Sequence, residues 1–161
     1  MFPTSKIKSG LPQPSEVMQR DREDAMGAYL LMFAALGIGI PLAGINLVAS
    51  FIYYLIYRSG SRYVAFHSYQ AFITQIPITV INAVGVFWIV RVIFFFAPLS
   101  MPFIIFIFFM VSANLILLSL SLVAATRARK GKFTYFPFSS VIALRRYYVK
   151  FKNLKNSPLY R

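Results

Sequence analysis

The chain has 161 residues, no cysteine, a formal net charge of +13 and a mean hydropathy of +0.66, with 58% of its residues hydrophobic. An ordinary soluble domain is about 45–50% apolar, and a globule this small cannot hide the excess. The missing cysteines exclude disulfides, thiolate metal sites, c-type haem attachment and a cysteine nucleophile. Charged residues, only 13%, are confined to the two ends and one short loop with Arg91 as the outlier, so the stretches between them read as soluble in a bilayer.

Residues 1–25 hold all four acids, Glu16, Asp21, Glu23 and Asp24, balanced by Lys6, Lys8, Arg20 and Arg22. They lack the apolar core of a secretory signal, and their acids argue against a transit peptide. This segment is expected to be a flexible cytosolic arm, followed by a helical membrane domain over 26–129 and a basic cytosolic tail over 130–161.

The first apolar stretch, 26–57, would extend about 48 Å as one straight helix against a hydrocarbon core of roughly 30 Å. The run from Gly37 to Asn46, with Pro41 at its centre and Gly39 and Gly44 about it, breaks it. Two short helices, 27–40 and 44–57, are predicted as a hairpin that either spans or re-enters the bilayer. After the polar loop Arg58–Arg62 a third helix runs from Tyr63 to near Phe96 with a kink expected at Pro77. The uncharged, proline-punctuated 97–102 segment is a turn, and a last span covers Phe103 to near Thr126.

From Arg127 to Arg161 there are ten Lys or Arg and no acid, which places the tail in the cytosol by the positive-inside rule. Four crossings then put the Arg58 loop and both termini inside. A single tilted first helix would instead leave the N-terminal arm outside. Within the tail, Pro137 is placed to open an amphipathic helix over about 138–152, with Phe138, Val141, Ile142, Leu144, Tyr148 and Val149 toward the membrane interface. The fold class is thus an all-α membrane protein of four membrane helices plus a C-terminal interfacial helix.

In the third helix His67, Gln70, Thr74, Gln75, Thr79 and Asn82 occupy about half the circumference at 100° per residue. Amides and imidazoles in hydrocarbon need partners, so this face points into the bundle, as interhelical glue or as the lining of a conduit. His67, the only histidine, has no carboxylate or cysteine in the spans to share a metal, and no buried acid to orient it as a base. No catalytic, metal or cofactor site is expected. Arg91 is expected to snorkel to the far headgroups. In the tail, Arg145, Arg146, Lys150 and Lys152 interleave with tyrosines and suit anionic lipid. Ribosomal RNA would feel the same attraction but is the weaker candidate, and no DNA contact is expected.

Pro41-Leu42-Ala43-Gly44-Ile45-Asn46, then Arg62-Tyr63-Val64-Ala65-Phe66-His67-Ser68-Tyr69-Gln70-Ala71, and a close containing Gly131 and Pro137, resemble the Tic-twenty-like superfamily over about residues 26–143. That group includes the twenty-kilodalton subunit of the chloroplast inner-envelope translocon and short prokaryotic membrane proteins. The resemblance implies a subunit of a preprotein-conducting assembly for the plant member and only a membrane domain for the prokaryotic ones. It assigns no catalytic role to Arg62, Phe66, His67 or Gln70. The resulting expectation is a non-enzymatic subunit of a larger assembly in a bacterial or archaeal inner membrane, partnered by anionic lipid and by other membrane proteins or copies of itself. The alternative is a homo-oligomeric channel or carrier for a small solute.

Overall fold

The computed structural model describes residues 11–33, 44–136 and 138–148. Five α-helices are described: α1 (Gln19–Leu30), α2 (Ile45–Tyr57), α3 (Arg62–Phe94), α4 (Met101–Arg129) and α5 (Ser139–Tyr147). Short 3-10 turns at Pro14–Glu16 and Leu31–Phe33 flank α1, and no strand occurs among the described residues. The turn expected around Pro41, the Pro137 helix start, and Lys150 and Lys152 lie outside the described residues.

At 33 and 29 residues, α3 and α4 are long and apolar enough to cross a membrane, about 50 and 44 Å of helix. They match the third and fourth predicted spans to within a few residues. The other two helices of the expected four are shorter. α2 has 13 residues, all apolar or aromatic but Asn46 and Ser50, and α1 has 12, the first six of them polar or charged. Among the described residues, two helices rather than four therefore have the length and apolarity of a crossing.

The reversal between α3 and α4 comes two residues earlier than expected. The Arg91 carbonyl accepts the N–H groups of Phe95 and Ala97 at 3.1 and 3.3 Å, and Phe96 turns the chain at φ 49°. Pro102 then sits in the first turn of α4, where its missing N–H costs nothing. The helices run antiparallel. Trp88 packs on Phe103 and Phe106, and Gly85 admits the Met110 side chain against the α3 backbone.

α1 begins at Gln19, eight residues before the predicted start and inside the segment expected to be a flexible arm. Gln19 donates to Glu23 at 3.0 Å, Arg20 pairs with Asp24 at 3.9 Å, and Arg22 donates to the carbonyls of Val17 and Pro14. These local bonds extend the helix through sequence that is polar but helix-compatible. Its other face is small and apolar. Ala25, Ala28, Tyr29 and Met32 bury against Ala124, Ala125 and Ala128 of α4, the close approach that small residues permit between membrane helices.

α2 lies antiparallel beside α1 and rests on α3. Tyr53 donates to the Asp24 carbonyl at 2.7 Å, Tyr57 reaches the Asp24 carboxylate at 3.3 Å, and Tyr54 and Phe51 pack on Tyr69 and Phe72. Gly44 starts it at φ 111°, a left-handed position that a side chain would strain.

The tail differs most from expectation. Beyond α4, Gly131 at φ 71° turns the chain against Pro14, and an extended run, 132–136, descends along α3 before α5 climbs back beside it. The order of contacts shows this. Tyr63 bonds the Lys132 carbonyl, Gln70 the Thr134 carbonyl and Thr74 the Ser139 hydroxyl, while Tyr147 near the end of α5 returns to Tyr69. α5 therefore packs lengthwise on α3. Its inward side is Ser139, Ser140, Ala143 and Leu144, whereas Phe138, Val141 and Ile142 are exposed.

Candidate functional site

The polar residues predicted on one face of α3 divide into two groups. His67, Gln70, Thr74 and Gln75 sit under the sheath formed by α1, α2 and the 130–148 strap; Asn82 lies beyond it, on the bare part of the hairpin. Thr79 is half-buried between them, with no side-chain hydrogen bond among the described residues.

His67 is fully buried in an aromatic cage. Tyr29, Tyr63, Phe66 and Phe133 surround it with ring centroids 5.5, 4.4, 5.1 and 5.4 Å away, and its Nδ1 bonds the Tyr29 hydroxyl at 2.7 Å. The cage draws on α1, α3 and the strap, so the ring joins all three. Its Nε2 is buried without a partner among the described residues, and no group of three or more His, Cys, Asp or Glu able to hold a metal forms there. An imidazole so placed can pack and hold one hydrogen bond; it has no acid to work with.

Gln70 donates to the Thr134 carbonyl and to the Ser140 hydroxyl, both at 2.9 Å, and the same hydroxyl accepts the Phe136 N–H. Gln75 donates to the Met32 carbonyl at 2.6 Å, at the 3-10 end of α1. Tyr63 donates to the Ala128 carbonyl at 2.9 Å. These acceptors lie where regular helix stops. In an apolar surround an unpaired backbone carbonyl costs several kcal/mol by order of magnitude, so non-helical chain needs side-chain partners. The polar face of α3 supplies them. Its Gln side chains stand in for backbone donors that the strap and the end of α1 lack.

Asn82 and Asn114 exchange amide hydrogen bonds at 3.1 and 2.7 Å, and Asn114 also donates to the Met110 carbonyl at 2.8 Å. This reciprocal pair fixes the register of α3 against α4 where nothing else covers the hairpin.

Sequence reasoning found the donors but not the acceptors. Thr134 precedes the helix expected over about 138–152 and Ser139 and Ser140 open it, and nothing in the sequence marks these three, or Tyr63, as bonding partners between α3 and the tail. The signal for the strap was present in Gly131 followed by five residues without helical periodicity. Of the residues carried by the resemblance, Phe66 and His67 are buried, Gly44 and Gly131 hold left-handed turns, Asn46 lies in the first turn of α2, and Arg62 opens α3 exposed. Arg145 and Arg146 are exposed on α5, with Arg146 laid over the Tyr69 ring at 4.8 Å.

The model of the magnetosome magnetite crystal formation protein family, MamF/MmsF, matches residues 20–143. The chain belongs to the MamF/MmsF family. No curated protein and no solved structure matches it. The family match corrects the Tic-twenty-like resemblance and removes the support it lent to polypeptide translocation. The residues that carried that resemblance, Phe66, His67, Gln70 and Gly131 among them, pack or turn the chain. Motifs of that kind describe how a short membrane bundle holds itself together, and so they discriminate poorly between families. For a MamF/MmsF protein the two apolar helices accord with a membrane protein.

Proposed function

We propose that this chain is a non-enzymatic integral membrane component of magnetosome magnetite formation that works by assembling with lipid and with other membrane proteins or further copies of itself. The family match over residues 20–143 carries the reading. The bonding of α3 supports it, because Gln70, Thr74 and Gln75 are engaged within the chain. A homo-oligomeric solute channel or carrier would need those groups to meet its cargo, and that reading draws correspondingly less support.

In this reading α3 and α4 cross the magnetosome membrane, α1 and α2 form a re-entrant hairpin, and the 130–148 strap re-enters beside them. The residues 1–18 and the basic tail lie on the cytosolic side, where Arg58, Arg127, Arg129, Lys130 and Lys132 meet anionic headgroups. Arg91 marks the opposite surface.

Deleting the gene in a magnetosome-forming host and imaging the crystals tests the proposal. Altered crystal size, shape or number, restored by the wild-type gene, is expected; crystals indistinguishable from the parent strain would end it. Terminal tags that are cut by protease on intact magnetosomes report the orientation, and protected tags would reverse it.

A further inference from the structure

Where α2, α3 and α5 meet, the hydrogen-bond donors outnumber the acceptors. Arg146 of α5 lies over the Tyr69 ring at 4.8 Å and the Tyr54 ring at 5.9 Å, and it donates to the Tyr69 hydroxyl at 3.4 Å. Tyr147 and Tyr54 share one hydrogen bond between their hydroxyls at 3.2 Å. Two hydroxyls joined by one bond leave one O–H unused, whichever of them donates. The Tyr69 hydroxyl, having accepted from Arg146, keeps its own. Burial holds the Tyr147 phenol well above its usual range, so it retains its proton. The guanidinium presents five N–H groups and uses one here. No acid occurs in the sequence beyond Asp24, and Arg146 forms no ion pair among the described residues.

A second tier lies directly beneath. One turn along α3 from Tyr69 is Phe72, and one turn back along α2 from Tyr54 is Phe51; their rings meet at 5.1 Å. Phe51 and Leu55 of α2 and Ile142 of α5 are exposed beside them. A cationic, donor-rich cluster thus lies one helical turn from a pair of aromatic rings, with exposed apolar side chains on α2 and α5. Its polarity runs in the order of a phospholipid, headgroup above and acyl chain below.

We infer that Arg146, Tyr69, Tyr54 and Tyr147 form the headgroup seat for one anionic phospholipid, whose phosphate accepts from the guanidinium and the phenols while an acyl chain lies on Phe51 and Phe72. This rests on the membrane reading above and narrows it from a diffuse basic surface to one site. Arg145, the neighbouring exposed cation, has no ring or hydroxyl contact among the described residues and belongs to the diffuse surface.

The test is native mass spectrometry of the full chain purified in detergent, titrated with phosphatidylglycerol or phosphatidylcholine. Wild type is expected to retain one phosphatidylglycerol in preference to phosphatidylcholine. Arg146→Gln should weaken retention about tenfold, the size of one charge-assisted hydrogen bond. Tyr69→Phe should weaken it less, and Arg145→Gln should leave it unchanged. Equal losses for Arg145→Gln and Arg146→Gln, or wild-type retention in Arg146→Gln and Tyr69→Phe, would overturn the site. Inorganic phosphate should give no thermal stabilisation; protection equal to that by the lipid would overturn the lipid assignment. A failure of the membrane reading shows separately, as a chain that stays monodisperse without detergent.

Discussion

At one end of the α3–α4 hairpin, around His67 and Ala124, three further segments wrap the helices and bury polar and small side chains completely. At the other, from Val84 through Phe96 to Phe109, two helices stand alone with Phe87 64%, Phe96 90% and Phe108 75% exposed. The polar residues of the two helices gather at the sheathed end, and the bare end is almost wholly apolar. The sheathed end needs polar residues because it contains non-helical chain, whose carbonyls must be met from the side. Apart from its 95–100 turn the bare end is helix that satisfies its own backbone, and the Asn82–Asn114 pair, the Gly85–Met110 contact and Trp88 on Phe103 and Phe106 hold its register.

That contrast can be broken most directly at Gln70. Gln70→Leu removes two donors from the strap and is expected to destabilise by about 2–3 kcal/mol, the cost of a buried carbonyl left unpaired. Unfolding by SDS titration in mixed micelles measures this, and a change below 0.5 kcal/mol (about a twofold change in the equilibrium) would mean the strap does not depend on it. Gly131→Ala comes next. Its φ is 71°, and an added Cβ would lie 3.0 Å from the Pro14 Cα, so about 1–2 kcal/mol of left-handed strain is expected, with backbone in the way.

On the bare end the effects should be smaller. Asn82→Leu leaves Asn114 its bond to Met110 and should cost about 0.6 kcal/mol, the average for polar pairs between membrane helices. A double-mutant cycle with Asn114→Leu measures the coupling. Smallest of all, Gly85→Ala meets only the flexible end of Met110 and should stay within about 0.5 kcal/mol, as for a substitution whose neighbour can move. If Gly85→Ala proves as costly as Gly131→Ala, the two ends are not built differently.

The long helices were legible because a bilayer demands uninterrupted apolar sequence, and α3 and α4 end within a few residues of their predicted limits. α1 was not, because its first turns are stabilised by pairs such as Gln19–Glu23 that no hydropathy pattern reveals. In α5, Phe138, Val141 and Ile142, expected toward the membrane interface, are exposed, whereas Leu144, expected beside them, is buried with Ser139, Ser140 and Ala143 against α3, a packing that depends on the strap and not on the helix's own pattern. The polar face of α3 was visible as a face; what it bonds depended on a strap whose path follows from one left-handed glycine.

The extended run 132–136 imposes an order on biogenesis. It has no helical bonds of its own and borrows Tyr63 and Gln70 from α3, so it cannot enter the bilayer before α3 is in place. Those residues leave the ribosome only after α3 and α4 are complete. Until then the donors of Gln70 and Thr74 have no strap to bond, and the nascent hairpin leaves that polar face uncovered.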